Sequence, residues 1–490
     1  MTKYPNTSGA SFVQLLGMFE PQTIRYNRRV FINRNLRLDG ISHVGFDMDY
    51  TLALYQQSLD ELSWGLILDV LTRESSYPKE ILSFDYDPGF AIRGLAIDLP
   101  RGNVFKLDKY RHVGRACHGT RVLDHEERVR LYRQYPINPS RRSFHLMDTL
   151  FSLPEACLFA RMVDFMDGLS GKRTQKEYVR AFRAIRSATD RIHRDGSLKS
   201  RVLDDIGGFI ARDPELASTL EQFKASGKKL FLLTNSGWNY TNGILSWLLN
   251  DELPSYPHWT DYFNMVVVNA RKPGFFSDKE PLVALPAGEN VFSGGNINAI
   301  EEFLGGSGDE VLYVGDHIYG DIVKSKKTST WRTAMIIPEM EEELKSLEKV
   351  REDQKKADRL FESRVRHEIE INYQQRLMIS MLNALEQGNG DTATRDLEMS
   401  RAACEAKLNE ILAELGEIDE QERMTEQTVM AHFNPIWGML FKEGNERSVF
   451  GAQVEDYACV YTGKVSNFLS YSPTQYLRNA RDLLPHELVL

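Results

Sequence analysis

The sequence lacks the features that mark secreted, membrane-spanning and zinc-binding proteins. It has 4 cysteines in 490 residues and no CxxC pair, which fits neither a disulfide framework nor a zinc site. No run of about 18 apolar residues occurs, and the first residues lack the basic and apolar segments of a secretory signal. We therefore expect a cytoplasmic protein with reduced thiols and no membrane partner.

An excess of positive charge is also absent. The chain has 60 Lys and Arg residues against 69 Asp and Glu residues, a formal net charge of -9, so we expect no nucleic-acid partner. Hydrophobic residues make up 42% and charged residues 26%, a composition that can bury a sizeable core. Because one domain typically has ~150 residues, we expect two or three domains.

Short apolar runs, each followed by polar or glycine-containing turns, predict buried parallel strands. They span residues 43–46, 229–234, 264–269, 310–315 and 331–337. Helix-like stretches between the later runs, such as residues 214–227, predict an α/β fold with a doubly wound parallel sheet. In such sheets, ligands bind beyond the carboxyl ends of the strands.

The spacing of these runs predicts the domain organisation. About 180 residues separate the first strand from the second, far more than one crossover needs, so a sizeable insertion is expected. The segment after residue 338 is rich in Glu, Lys, Leu and Arg and predicts a long antiparallel helical hairpin. The predicted parts are a core (1–60 and 200–338), an inserted cap (61–199), the helical hairpin (339–431) and a C-terminal segment that packs on the core (432–490).

The stretch GFDMDYTLALY places two aspartates directly after the first predicted strand. A carboxylate at the carboxyl edge of a sheet can attack phosphorus and form an aspartyl-phosphate, a role that suits Asp47. Asp49, two residues later, points the same way and can protonate the leaving oxygen and then deprotonate the attacking water.

A phosphate monoester brings about -1.5 to -2 of charge to these carboxylates, so cations must balance it. Asp316, at the end of the fourth strand, can complete a Mg²⁺ site, with Asp321 as a further or outer ligand. Lys272 follows the third strand and can neutralise the transferring group. Thr234 ends the second strand with a hydroxyl and, we expect, exposed backbone N–H groups for phosphoryl oxygens.

Together, Asp47-Met48-Asp49-Tyr50-Thr51, Thr234-Asn235, Lys272 and Gly315-Asp316 resemble, in this order, the four motifs of the haloacid dehalogenase (HAD) superfamily. Asp49 is typical of its phosphatases. Longer stretches, including TDRIHRDGSLK, NARKPGFF, GDHIYGDIVKSKK and SVFGAQVEDYACVY, resemble the cytosolic purine 5'-nucleotidases that prefer IMP and GMP. The resemblance implies a HAD-like core with an inserted cap and a helical C-terminal extension, and Mg²⁺ held by Asp47, Asp316 and the carbonyl of Asp49.

The same resemblance implies a substrate pocket in the cap. Arg186 and Asp190 are four residues apart on one helical face and can present donors and an acceptor to a 6-oxopurine. An exposed ion pair is the alternative interpretation of that spacing. The residues expected to bind the purine nucleoside monophosphate are Phe151, Arg186, Asp190, His193, Lys199, Asn235 and Ser236.

In that family, a nucleotide effector binds beside the metal-site loop. The corresponding residues are Asp148, Tyr319, Lys326 and Lys327, where some relatives have Asn for the first and commonly Phe for the second. The family also forms homodimers and homotetramers, and its members can pass the phosphoryl group to a nucleoside. Two alternatives stay open: a sugar-phosphate phosphatase, and a non-catalytic scaffold that uses the helical hairpin.

Overall fold

A computed structural model of the protein describes residues 24–75, 77–133, 136–169, 173–306, 308–323, 329–386 and 391–480. These residues fall into two units. The larger holds the described residues up to Glu341 and from Leu440 onward, and the smaller spans Glu342–Met439.

A mixed sheet of nine strands among the described residues forms the centre of the larger unit. In spatial order the strands are Phe31–Ile32, Val460–Thr462, Arg332–Ile336, Val311–Gly315, His43–Phe46, Lys229–Leu233, Met265–Val268, Val291–Gly294 and Leu282–Ala284. The inner strands run parallel, and the strand at each edge is antiparallel to its neighbour. The predicted α/β fold with a large parallel sheet is confirmed.

The five predicted strands form the contiguous middle of this sheet, each within one residue of its predicted bounds. The sequence did not indicate the strands at the two sides. Val291–Gly294 and Val460–Thr462 have only three or four residues and include Ser, Gly or Thr, so they lack a distinct apolar run.

The strand His43–Phe46 is buried along its whole length and lies where the chain reverses its direction across the sheet. The chain continues outward on one side through Lys229–Leu233 and returns on the other through Val311–Gly315. A Cβ atom on Gly45 would lie 2.2 Å from the Phe231 ring, so glycine is required for this close approach. Ligands bind at such a reversal point, which is where Asp47 follows the strand.

The segment inserted after the first strand is joined to the core by two paired stretches of chain. Leu54–Tyr55 pairs antiparallel with Ile210–Ala211. Between them, an antiparallel sheet contains, in spatial order, Arg121–Val122, Val113–His118, Asn103–Leu107, Leu95–Asp98 and Phe144–Leu146. Its helices are Gln57–Glu74, His125–Tyr132, Leu153–Gly168, Gln175–Arg194, Ser197–Asp204 and Ile206–Phe209.

Helices and short hairpins complete the larger unit. The helices are Leu216–Ala225, Trp238–Leu249, Ile297–Leu304 and Val449–Tyr457, and Ile318–Val323 forms one π-helical turn. Lys442–Glu443 pairs with Glu446–Arg447, and Leu36–Arg37 pairs with Tyr476–Leu477. Near the end of the chain, Val460–Thr462 pairs parallel with Arg332–Ile336 and so joins the main sheet.

The smaller unit contains the predicted helical hairpin. Its long helices are Arg351–Glu386 and Asp391–Met430, and the helix Met340–Lys349 precedes them. Four buried residues in the second long helix recur at every seventh position: Cys404, Ile411, Ile418 and Thr425. The buried Val429 lies four residues after the last of them. This heptad spacing is typical of a coiled coil. Ion pairs of Arg364 with Glu422 and of His367 with Glu414 join the two helices, and their reversed order along the second helix shows that the helices are antiparallel.

Candidate active site

Asp47 lies at the carboxyl end of the central strand, with its carboxylate almost fully buried. Its backbone N–H donates to the carbonyl of Val314 over 2.9 Å, which continues the parallel ladder and fixes the main chain. Oδ1 lies 2.8 Å from Nζ of Lys272 and, among the described residues, has no hydrogen-bond partner of good geometry. Burial raises the pKa of Asp47 well above its usual range, although Lys272 opposes the shift. This carboxylate therefore needs a nearby positive charge to stay ionised.

Lys272 supplies one such charge. Its buried Nζ lies 2.7 Å from Oδ1 of Asp321 and 3.0 Å from the Tyr313 hydroxyl. Burial lowers the pKa of Lys272, but Asp321 and Asp47 raise it by more, so its net pKa lies well above the usual value. Asn235 fixes the lysine backbone, because its amide donates to the Lys272 carbonyl (3.0 Å) and accepts from the Lys272 N–H (2.6 Å).

The carboxylates of Asp47, Asp316 and Asp321 form a cluster that suits a divalent cation. One oxygen from each lies within 4.8 Å of the others, and all three residues are buried. Burial raises the pKa of Asp316 to about 7, against the effect of Arg93. Three buried carboxylates beside one ammonium leave excess negative charge, and hard oxygen ligands are those that Mg²⁺ prefers. Asp321 Oδ2 also accepts the His317 N–H over 3.2 Å, so its assignment to the outer shell stays a prediction.

Asp49 points beside Asp47 and is held by two hydroxyl groups. The Tyr55 hydroxyl donates to Oδ1 over 2.6 Å, and Ser236 Oγ donates to Oδ2 over 2.8 Å. The Tyr240 hydroxyl lies 2.9 Å from that of Tyr55. The sequence reasoning missed both tyrosines. The signal for Tyr55 was its place at the end of the aspartate motif, whereas Tyr240 carried none.

The end of the second strand differs from the prediction. Thr234 is fully buried, and its backbone N–H donates to the carbonyl of Val267 over 2.9 Å. The N–H of Ser236 donates to Oγ1 of Thr234 over 3.1 Å. The prediction of an exposed N–H is therefore wrong for Thr234 itself, because the parallel ladder uses this group. Lys199, in contrast, reaches this region as expected, with Nζ 3.3 Å from Ser236 Oγ.

Four of the predicted substrate residues line a cavity of about 370 Å³. Its lining is Thr149, Phe151, Ser152, Arg186, Thr189, Asp190, His193 and Arg194. The rings of Phe151 and His193 meet edge to face with centroids 5.5 Å apart. Burial, reinforced by the charges of Lys199 and Arg186, lowers the pKa of His193 to about 4, so this ring is neutral at pH 7.

Arg186 and Asp190 form an ion pair of 2.8 Å at the edge of this cavity, and their side chains are 40% and 44% exposed. The i, i+4 pair that stood as the alternative interpretation is thus present, but it lines the cavity. The other arm of Arg186 donates to Oε2 of the fully buried Glu155 over 2.9 Å. Burial raises the pKa of Glu155 to about 7, while Arg186 lowers it.

Aromatic rings connect this cavity to Asp49. The Tyr50 ring lies 4.8 Å from that of Phe151 and 4.9 Å from that of Tyr55, whose hydroxyl binds Asp49. Tyr50 has a φ of 54°, an uncommon value for a residue other than glycine. The two predicted sites, one for a base and one for a phosphoryl group, are therefore neighbours.

The predicted effector residues are only partly within the described part of the chain. Asp148 Oδ1 lies 3.5 Å from His317 Nε2, and Tyr319 is 46% exposed on the π-helical turn. Lys326 and Lys327 lie outside the described residues. The effector assignment stays a prediction.

Comparison with known proteins decides the family. The model of the 5' nucleotidase family matches residues 30–489, almost the whole chain. The chain belongs to the 5' nucleotidase family. It is 30% identical over 481 residues to a 5'-nucleotidase domain-containing protein of Dictyostelium discoideum, covering 94% of this chain and 75% of that protein. It is 27% identical over 491 residues to 5'-nucleotidase domain-containing protein 2 of Rattus norvegicus, covering 94% and 80%.

Among solved structures, similarity is found to HAD-fold proteins. One is CbbY of Rhodobacter sphaeroides in complex with phosphate (12% identity, TM-score 0.24, 60% of this chain and 86% of that chain). Another is L-2-haloacid dehalogenase of Xanthobacter autotrophicus (14% identity, TM-score 0.20, 61% and 78%). The fold assignment rests on the strand order of the sheet, with its aspartates at the reversal point.

Family membership and this fold support phosphatase or nucleotidase activity. The acidic cluster also suits the divalent metal that phosphatases of this fold generally use. Within the described residues, no helix is both long and apolar enough to cross a membrane.

Proposed function

We propose that this member of the family is a Mg²⁺-dependent 5'-nucleotidase that hydrolyses purine nucleoside monophosphates, with IMP and GMP preferred. The observation that carries the proposal is the junction of two sites: the cavity of Phe151, Arg186 and Asp190 adjoins Asp49 through Tyr50 and Tyr55. A base-sized cavity beside a phosphoryl-transfer centre fits a nucleotide better than a small sugar phosphate.

In the proposed reaction, the carboxylate of Asp47 attacks phosphorus and the bond to the 5' oxygen of the nucleoside breaks. Asp49 donates a proton to that leaving oxygen, and Tyr55 and Ser236 hold its carboxyl group in place. Asp49 then takes a proton from water as the water attacks phosphorus, the bond between phosphorus and the Asp47 oxygen breaks, and phosphate leaves with the Asp47 carboxylate restored. A nucleoside hydroxyl in place of water would give phosphotransfer by the same steps.

The charge that develops on the phosphoryl group is balanced by fixed groups of the site. Lys272 presents its ammonium 2.8 Å from Asp47, and Lys199 lies beside Ser236, which donates to Asp49. When bound by Asp47, Asp316 and the Asp49 carbonyl, Mg²⁺ would act as a Lewis acid that neutralises phosphoryl oxygens.

Base recognition is assigned to the half-exposed ion pair. The Arg186 guanidinium has five N–H donors and can donate to the 6-oxo group, while Asp190 can accept from a ring N–H. An adenine offers an amino donor where a 6-oxopurine offers an acceptor, so Arg186 would lack an acceptor at that position. Phe151 provides an apolar ring against the base.

The wider proposal includes a cytoplasmic location, a homodimer or homotetramer, and activation by a purine nucleotide at Asp148, Tyr319, Lys326 and Lys327. Activation would require that the second nucleotide favour the ordered form of the loop that carries Asp316. Coupling of this kind is typically worth about 1 to 3 kcal/mol.

A turnover screen tests the proposal. Purified protein with Mg²⁺ is offered IMP, GMP, AMP, CMP, UMP, ribose 5-phosphate and an aryl phosphate, and phosphate release is measured with and without ATP or GTP. The expected order places IMP and GMP first. Preference for ribose 5-phosphate would favour a sugar-phosphate phosphatase, and no turnover of any ester would favour a scaffold.

A further inference from the structure

Arg93 is a buried charge that the proposed reaction does not use. It lies in the apolar stretch FAIRGLAI, just before the strand Leu95–Asp98, and its side chain is 0% exposed. A guanidinium removed from water needs acceptors for its N–H groups, so its partners show what holds it there.

Those partners follow two adjacent strands of the main sheet, at their carboxyl ends. Nη1 donates to the backbone carbonyl of Asp316 over 2.8 Å, a contact between residues 223 apart in sequence. Nε and Nη2 donate to the two carboxylate oxygens of Glu339, each over 2.7 Å. This is the bidentate arrangement that only a planar guanidinium makes.

The C-terminal helix Val449–Tyr457 packs against the same guanidinium. The guanidinium carbon lies 5.0 Å from the centre of the Phe450 ring, a cation–π contact. Gly94 permits this approach, since it has a φ of +83° and a Cβ there would lie 2.6 Å from Cβ of Phe450. Arg93 therefore joins the inserted segment, the Asp316 turn and the C-terminal helix at one buried point.

We propose that Arg93 is a positioning residue for the divalent cation, which sets the direction of the Asp316 carboxylate by holding the Asp316 backbone carbonyl. This inference rests on the proposed function, because it takes the carboxylate cluster as the cation site.

The hydrogen bond to the Asp316 carbonyl is the basis of this role. The guanidinium lies 3.9 Å from Oδ2 of Asp316, beyond hydrogen-bond distance, and Glu339 balances its charge. A positive charge without a partner would repel the cation, but Glu339 offsets the charge of Arg93, and the hydrogen bond to the carbonyl holds the Asp316 backbone. Loss of groups that orient metal ligands typically costs about 10 to 100-fold in metal affinity or activity.

The test compares R93K, E339Q and wild type by direct Mn²⁺ binding, measured by electron paramagnetic resonance without nucleotide. R93K keeps the charge but loses the planar fork, so we expect the Mn²⁺ dissociation constant to rise about 10 to 100-fold. E339Q should raise the Mn²⁺ dissociation constant by less than R93K does. R101K is the matched control, because Arg101 pairs with Asp98 in the same inserted segment and is 44% exposed. It should bind Mn²⁺ like wild type.

A second readout separates positioning from folding. The Mg²⁺ concentration for half-maximal turnover should rise in R93K, while the ratio of IMP to AMP turnover at saturating Mg²⁺ stays as in wild type. Mn²⁺ affinity equal to wild type in a folded R93K, or equal losses in R93K and R101K, would overturn the proposal. Wild-type Mn²⁺ binding without hydrolysis of any nucleotide would overturn the proposed function and leave the role of Arg93 intact.

Discussion

The carboxylate cluster proposed as the cation site and the cavity proposed as the base pocket hold their charges in different ways. At the cation site, the side chains of Lys272, Asp47 and Asp321 are 4%, 9% and 1% exposed. In the base pocket, Arg186 and Asp190 are 40% and 44% exposed. Buried charges cost much free energy when one partner is lost, whereas exposed pairs contribute little and exchange partners readily. The comparison predicts large effects of substitution at the first site and smaller effects at the second.

The largest effect is expected from Asp47→Asn. Because the amide cannot form an acyl phosphate, turnover of IMP should fall by about 10⁴-fold or more, as for other nucleophiles that act as part of a unit. Phosphate release is measured at saturating Mg²⁺, and acid-stable labelling from ³²P-labelled IMP is measured alongside. Asp309→Asn is the matched control, since Asp309 is an exposed residue outside the site. Retention of labelling in Asp47→Asn would contradict the assignment of the nucleophile.

Lys272→Met should have the next largest effect. It removes the ammonium that contacts both Asp47 and Asp321, and loss of one such stabilising group typically costs about 10² to 10³-fold in kcat. Steady-state kinetics with IMP and with an aryl phosphate should show the same loss, because the lysine acts on the phosphoryl group. Lys464→Met, at a partly exposed lysine away from the site, serves as control. A loss confined to IMP would place Lys272 in base recognition.

A third prediction concerns stability in the base pocket. The pKa of His193 is about 4 in the folded protein, below the ~6.5 of an unfolded chain, so the unfolded state takes up the proton first as pH falls. The contribution of His193 to the free energy of unfolding is complete above pH 6.5 and is lost as pH falls towards 4. Between pH 7 and pH 5, the free energy of unfolding should therefore fall by about 2 kcal/mol less in His193→Gln than in wild type. Urea unfolding at both pH values measures the difference, and equal losses would show that His193 is not held neutral.

The sequence predicted which residues form the carboxylate cluster, but it did not predict Arg93, which holds the Asp316 backbone. Asp47, Asp316 and Lys272 each follow an apolar run of a parallel sheet, and the ends of adjacent parallel strands meet at one edge, so local patterns were sufficient. Arg93 gave only a weak signal, a lone charge in an apolar stretch. Its contact with Asp316 spans 223 residues and depends on how the inserted segment packs.

Short or polar elements were harder to predict than buried ones. The edge strands Phe31–Ile32 and Leu282–Ala284 are partly exposed and have no periodicity long enough to recognise. At Thr234 the prediction failed because an N–H at a strand end was treated as available, although the neighbouring strand continues one residue further and accepts it. Sequence patterns indicate which residues end a strand, but not which hydrogen bonds the next strand takes.

The smallest effect is expected from Asp190→Ala. Asp190 is half exposed and accepts from Arg186 over 2.8 Å, so a lost charge-assisted contact to the base should cost about 1.5 kcal/mol, roughly tenfold in the ratio of kcat/KM for IMP to that for AMP. Turnover of an aryl phosphate should be unchanged, because it has no base to contact. Glu74→Ala is the matched control. Glu74 pairs with Arg191, which lies on the same helix as Asp190, and it has a similar exposure to Asp190 but lies outside the cavity lining. If both variants shift the ratio equally, Asp190 does not recognise the base. If Asp190→Ala lowers aryl phosphate turnover as much as IMP turnover, the two sites are coupled more tightly than their burial indicates, and the separation of base recognition from phosphoryl transfer would fail.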